Sequence, residues 1–235
     1  MLEKIINNIK TLLIALIIAV LIRSLIIQPF YIPSSSMEPT LLVGDRIFVT
    51  KYSYGYSKHS FPFSPNLSNY RFFSKEPKQG DLVVFKTPLD NRTDYIKRLI
   101  GLPGDTVQFI KGELYINDRA VPRTLTKISE PIRCGNFTLN TKTFLETLPN
   151  GVQHLATYNT EGTLQNTKRY IVPENHFFLM GDNRDCSKDS RFLSDVGYVN
   201  FINLVGKARY IFFSNDTNIS PLIKFWNIKE SFRLN

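Results

Sequence analysis

The chain has 235 residues, of which 29 are basic and 20 acidic, giving a net charge of +9; 43% of its residues are hydrophobic. That length is enough for one domain with a buried core plus an additional segment, and the charge suits an anionic surface. No basic run or nucleic-acid-binding spacing accompanies it, so nucleic acid is excluded as a partner. Two cysteines, Cys134 and Cys186, are too few for a disulfide framework or a set of zinc ligands, and their number leaves open whether they pair.

Residues 1–10 form a short amino-terminal segment carrying Lys4 and Lys10 against Glu3. Residues 11–27 are almost wholly Leu, Ile, Ala and Val, interrupted by Arg23 and Ser24. At 1.5 Å per residue this run spans about 25 Å, and extending it back to Ile5 completes a bilayer crossing. One transmembrane helix is predicted, with Arg23 snorkelling to the far interface. Gln28 to Gly44 contains no Lys or Arg, so the lysine bias predicts a cytoplasmic amino terminus with the remaining chain outside. A removable secretory signal is the competing reading. Against it, the apolar run is long, the small residues Ser34 to Ser36 lie far beyond its end, and Pro39 follows closely.

Pro33 and Pro39 push Ile32 and Glu38 out of the helical region, so the three serines between them should be extended and presented. Ser36 is the candidate nucleophile. It lies within about 30 Å of chain from Ile27, so its chemistry stays near the helix end. Without a partner the same stretch would be a polar linker.

From Gly44 the pattern becomes short apolar runs of period two. Arg46 to Val49, Asp81 to Phe85 and Thr106 to Ile110 read as strands, and Lys111-Gly112 offers a tight reversal into Glu113 to Ile116. Lys51 to Lys78 is aromatic and polar, and is expected to be a long surface excursion. Tyr170 to Val172 and His176 to Met180 resume the strand pattern, and Asn203 to Phe213 suggests a final strand pair. The expected fold is mostly β, an antiparallel sheet domain of residues 28–118 and 170–215. A weakly patterned, β-rich sub-domain of residues 119–169 is inserted into it. The tail, 216–235, places Leu222, Phe225, Trp226, Ile228 and Phe232 among basic residues; a helix on a membrane interface and a helix packed on the β domain are both open.

A serine hydroxyl needs a base before it can attack an amide. His59, His154 and His176 lie in no catalytic pattern, and neither zinc-protease spacing nor a phosphate-binding glycine loop is present. Lys97 is the other candidate. In a strand from Asp94, Tyr95, Lys97 and Leu99 share one face and Ile96, Arg98 and Ile100 the other, so one of the two basic residues should point inward. Lysine can shed its charge in an apolar surround, whereas guanidinium cannot. Bringing an ammonium to near pH 7 requires roughly 4 to 5 kcal/mol of differential desolvation. Spacing alone favours a solvated or salt-bridged strand lysine.

Four blocks occur in order: Pro33-Ser34-Ser35-Ser36-Met37 with Pro39-Thr40-Leu41; Gly44-Asp45; Tyr95-Ile96-Lys97-Arg98 with Gly101 to Asp105; and Gly181-Asp182-Asn183-Arg184-Asp185 through Ser187, Asp189, Ser190 and Arg191. With the anchor before them they resemble bacterial type I signal peptidase. The resemblance implies a serine/lysine dyad of Ser36 as nucleophile and Lys97 as general base. It implies an oxyanion hole from the Ser36 amide and the Ser34 hydroxyl. Ser187 would orient the lysine amine, and Arg98, Asp182, Arg184, Asp189 and Arg191 would support the loop beneath the dyad.

The resemblance further implies a membrane-bound endopeptidase that needs neither metal nor organic cofactor. It would act on preprotein signal peptides with small residues at positions −1 and −3, beside membrane lipid and the translocation machinery, on the outer face of a bacterial cytoplasmic membrane. The chain departs from the family pattern in places. Ser35 stands where Gly is usual, Cys186 stands where Asn is usual and is expected to be a packed thiol, and the loop from Arg191 to Gly197 is longer. A self-cleaving repressor-type peptidase with the same dyad, and a non-catalytic anchored β scaffold, are the alternatives from other classes.

Overall fold

The computed structural model describes residues 1–65, 68–162, 165–214 and 226–227. A single long helix, α1 (Leu2–Leu25), precedes strands β1 (Ile27–Tyr31), β2 (Arg46–Thr50), β3 (Leu82–Lys86), β4 (Asp94–Gly101), β5 (Thr106–Ile110), β6 (Glu113–Ile116) and β7 (Arg119–Ala120). These are followed by β8 (Arg123–Cys134), β9 (Phe137–Thr147), β10 (Gln153–Asn159), β11 (Tyr170–Ile171), β12 (His176–Met180), β13 (Val199–Asn200), β14 (Leu204–Phe213) and β15 (Trp226–Asn227).

The helix begins earlier than the hydropathy of residues 11–27 predicts, because Lys4, Asn7, Asn8 and Lys10 are polar but do not break a helix. Its 24 residues make about 36 Å at 1.5 Å per residue. Its most apolar stretch has a mean hydropathy of 2.4, and that stretch is wholly outside the folded interior. The helix ends at Leu25, two residues before the expected boundary, since Ile27 already pairs with Thr50 as the first residue of β1. Its end is held to the β domain by Tyr56 OH donating to Leu25 O at 2.9 Å and Lys51 N donating to Ile26 O at 3.0 Å.

The β-strands are paired antiparallel. The largest sheet runs β1-β2-β14-β3-β4-β12-β13, with β15 beside β14. Both faces of β3 are covered, which is why Leu82, Val83, Val84 and Phe85 form a continuous apolar run instead of an alternation. Leu82 and Val84 pack with Met37, Leu41, Ile47 and Val49 on one side; Val83 and Phe85 pack with Leu99, Phe177 and Leu179 on the other. The expected terminal strand pair is one ten-residue strand, β14, kinked by register shifts so that it serves β2 and β3 at once.

Two smaller sheets complete the domain, β11-β5-β6-β7 and β10-β9-β8. Lys111 and Gly112 both take positive φ between β5 and β6, making the tight reversal. The weakly patterned region holds a long hairpin, β8–β9. Leu125, Ile128 and Phe137 on it are exposed, so little alternation is left to read. The tail predicted as a helix lies outside the described residues, apart from 226–227, which are strand.

The aromatic excursion after β2 is pinned by Tyr54, whose OH donates to Asp81 at 3.0 Å, and by Arg71. Arg71 donates to Gly55 O at 2.8 Å and to Phe201 O and Leu204 O at 2.8 and 2.6 Å, and its guanidinium sits over the Phe201 ring. Replacing it with methionine, Arg71→Met, leaves those carbonyls without their charged donor. Stability should fall by about 2 to 3 kcal/mol in a urea titration followed by tryptophan fluorescence.

Candidate active site

Ser36 sits on a 3-10 turn, Ser35–Met37, immediately after the extended Ser34. The turn is anchored from below: Met37 and Leu41 are fully buried in the core beneath β2 and β3, and Leu41 N donates to Met37 O at 3.0 Å. The Glu38-Pro39 peptide is cis. The serine run is therefore wound rather than extended through Ser36, and Ser35 and Ser36 are buried rather than presented to solvent. Pro33 and Pro39 bracket the turn without preventing a single 3-10 cycle between them.

Lys97 lies in β4 opposite Val83 of β3. On the other side of β4, strand β12 pairs only as far as Met180 opposite Arg98. Beyond that point the neighbour is the loop from Gly181, and there the lysine amine meets the serine turn. Lys97 Nζ donates to Ser36 Oγ at 2.6 Å, and the lysine is 4% exposed. Burial depresses its pKa to about 8; Asp189 and Asp182 act to raise it and Arg191 to lower it. Ser34 Oγ is 3.3 Å from Ser36 Oγ.

The sequence predicts that one of Lys97 and Arg98 points inward. Both are buried, on opposite faces of β4. The second cation is tolerated because it is neutralised in place: Arg98 Nε and Nη2 donate to the two oxygens of Asp182 at 2.7 and 2.6 Å, and Nη1 donates to Gly80 O at 2.9 Å. Burial alone would raise the Asp182 pKa; Arg98 and the 2.5 Å hydrogen bond from Thr40 hold it below the usual carboxylate value.

Asp189 and Arg191 form a similar closed unit. Arg191 Nε and Nη2 donate to Asp189 at 2.8 Å each, and the second carboxylate oxygen also accepts Gly181 N at 3.0 Å. Ser187 Oγ is buried and makes no hydrogen bond of ordinary geometry, though it lies close enough to Asp189 to favour that carboxylate's charged form. Gly181 allows this crowding, since a Cβ there would collide with the Ser187 side chain and the Ser36 carbonyl.

Arg184, also named from the sequence, faces away from Ser36 and Lys97 into the β8–β10 sheet. It donates to Glu146 at 2.6 Å and to Tyr158 OH at 2.6 Å, next to His154. Two residues of the site were not singled out. Asn183 donates through its backbone to Ser36 O and through its side chain to Ser35 O, each at 3.2 Å; Thr40 caps Asp182. Both lie inside the quoted motif blocks, which is the only trace they leave in the sequence. None of the three imidazoles hydrogen bonds to Ser36 among the described residues; His154 is buried against Glu146 and Arg184. Cys186 is not a packed thiol: it is bonded to Cys134, with 5.6 Å between the Cα atoms.

Residues 5–213 match the family described as "Signal peptidase, peptidase S26". The chain belongs to that family. It is 45% identical over 241 residues to a signal peptidase I of Rickettsia canadensis, covering 93% of this chain and 86% of the relative. It is 40% identical over 244 residues to a signal peptidase I of Rickettsia bellii, covering 96% and 82%. A solved signal peptidase I of Enterococcus faecalis aligns at 26% identity over 57% of this chain and 97% of that one, with a TM-score of 0.34. As a member of the signal peptidase family the chain is a peptide-bond hydrolase of the serine class.

The Arg98–Asp182 unit predicts different costs for breaking the pair and for replacing it. Asp182→Ala strands a buried guanidinium and should cost about 3 to 5 kcal/mol, while Arg98→Met combined with Asp182→Leu should recover most of that loss. Denaturant midpoints of the two variants against the parent check the pair.

Proposed function

We propose that the chain is a membrane-anchored endopeptidase that removes amino-terminal signal peptides, with Ser36 as nucleophile and Lys97 as general base. The observation that carries this reading is a desolvated lysine amine 2.6 Å from a serine hydroxyl in a chain of the signal peptidase family.

In the proposed reaction Lys97, as the neutral amine, takes the Ser36 Oγ proton as the oxygen attacks the scissile carbonyl carbon. The Ser36 N–H and the Ser34 hydroxyl donate to the oxygen that becomes negative. The lysine then gives its proton to the departing amine, which leaves as the new amino terminus of the mature protein. Water, deprotonated by the same amine, attacks the Ser36 ester and releases the signal peptide as a carboxylic acid. Ser187 limits the lysine's freedom from the enclosed side of the site.

The anchor supplies the substrate's location. Helix α1 is long enough to cross a bilayer, and β1 starts two residues after it ends, so Ser36 is held close to the lipid surface from which a signal peptide emerges. Phe63, Phe72 and Phe73 on the excursion are exposed, and they favour direct contact of the β domain with lipid. The lysines of the amino-terminal segment favour a cytoplasmic amino terminus and an external catalytic domain. The scissile segment would bind extended, with small side chains admitted at positions −1 and −3.

The pH dependence follows from the lysine. The reactive fraction is the neutral amine, so kcat/KM should rise with pH and reach half its plateau near pH 8. The same shift has a cost in stability. Between pH 8 and 10.5 the unfolded chain holds a proton that the folded one has lost, so stability rises with pH across that window. Below it the full penalty is present, about 3 kcal/mol at roughly 1.36 kcal/mol per pKa unit.

Lys97→Met should therefore abolish cleavage of a signal-peptide substrate while raising the unfolding free energy at pH 7. Ser36→Ala should abolish cleavage with little change in stability. Retention of parental activity in either variant would remove the corresponding residue from the mechanism.

A further inference from the structure

The hairpin β8–β9 is held at two places. Near its base, Glu146 of β9 is paired with Arg184, and β10 beside it docks on the same loop through Thr157 N donating to Asp182 O at 2.8 Å. Its far end, where Cys134 is opposite Phe137, reaches back to the serine turn. There Ser35 Oγ donates to Arg133 O at 2.8 Å and lies 3.3 Å from Cys186 Sγ, while Cys186 is bonded to Cys134.

All three contacts converge on the immediate neighbours of the site: Ser35 precedes Ser36, and Cys186 precedes Ser187. A residue without a hydroxyl at 35, or without sulfur at 186, could not make these contacts. The hairpin carries the apolar side chains Ile128 and Phe137 with 73% and 75% of their surface exposed.

We propose that the end of hairpin β8–β9, clamped by Cys134, Cys186 and Ser35, is a wall of the substrate cleft. It sets which peptide bond of an extended substrate meets Ser36 Oγ. Cys134, Cys186 and Ser35 are positioning residues for cleavage register. Strand β10 supports β9 as far as Asn140, whose carbonyl accepts Thr160 N at 2.8 Å, so without the clamp it is the hairpin end beyond Asn140 that is free to shift, and displacement of the substrate by about an ångström is enough to lower turnover by up to about a hundredfold. This inference rests on the assignment of Ser36 as nucleophile.

The test uses full-length protein in phospholipid vesicles and a synthetic signal-peptide substrate with alanine at positions −1 and −3. The variants are Cys134→Ser with Cys186→Ser, Ser35→Ala, and all three together; Ser36→Ala is the baseline. The parent is also treated with dithiothreitol, which reduces the bond to two thiols and becomes its own cyclic disulfide. The expected result is a fall of about tenfold or more in kcat/KM for each single perturbation, with additional cleavage products one or two bonds from the parental cut.

The triple variant should be scarcely worse than either part, because both parts release the same strand end. The pH at half-plateau should not move, since the lysine's surroundings are unchanged. A single parental product and parental kcat/KM from the reduced enzyme and from Ser35→Ala would overturn the proposal and leave the disulfide as a stability staple, whatever the cysteine variants do to folding. Parental cutting by Ser36→Ala would overturn the nucleophile assignment and this inference with it. Loss of cutting there, beside unchanged register elsewhere, would overturn this inference alone.

Discussion

An uncompensated amine in the interior is the constraint around which this molecule is arranged. Lys97 forms no ion pair among the described residues, although two carboxylates are near enough to influence it. Each of those carboxylates is taken: Asp182 is held by both arms of Arg98, and Asp189 by both arms of Arg191. Were either guanidinium missing, a bare carboxylate would favour the charged form of Lys97 more strongly. The arginines supply loop rigidity and also keep the acids from pairing with the Lys97 amine.

This arrangement explains why so much buried charge sits within one small region. Buried ion pairs are poor sources of net stability, because desolvation cancels most of the attraction. Here they do something a hydrophobic replacement could not. Bidentate pairs fix the Gly181 loop to β4, the loop fixes the serine turn through Asn183, and the amine is then directed at Ser36 from a backbone that has little freedom left. Gly181 is part of the same design, since only hydrogen in place of a side chain lets Ser187 and the Ser36 carbonyl approach so closely.

The hairpin insertion is tied to the same loop at both ends. Its base shares the Arg184–Glu146 pair with the loop, and its end is bonded to Cys186, next to Ser187. The switch from helix α1 to β1 within two residues joins a long apolar segment to the sheet edge on the other flank.

Much of this was legible from residue order. The long apolar run, the period-two strands around Arg46–Thr50 and Thr106–Ile110 and the glycine-centred reversal at Gly112 are local signals, encoded within a few residues and carried into the fold; the prolines around Ser36 marked a break in the chain but not the 3-10 turn or its burial. That Lys97, unlike Arg98, is a residue type able to lose its proton could also be read, because lysine and arginine differ intrinsically. Other features were not. That both Lys97 and Arg98 are buried depends on where β12 stops and on an aspartate more than eighty positions away. The strands of the insertion were faint because Thr141, Thr143, Glu146, His154 and Thr157 are polar yet buried, while Ile128 and Phe137 are apolar yet exposed. Cysteine count could not say whether Cys134 and Cys186 meet, and the placement of Ser35 against both Arg133 and Cys186 has no sequence trace. Local propensity and pattern are properties of neighbouring residues, so sequence alone determined the elements and the candidate chemical groups. Distances between groups far apart in the chain are set by how sheets stack and where strands end, so only the tertiary structure decided which of those groups touch.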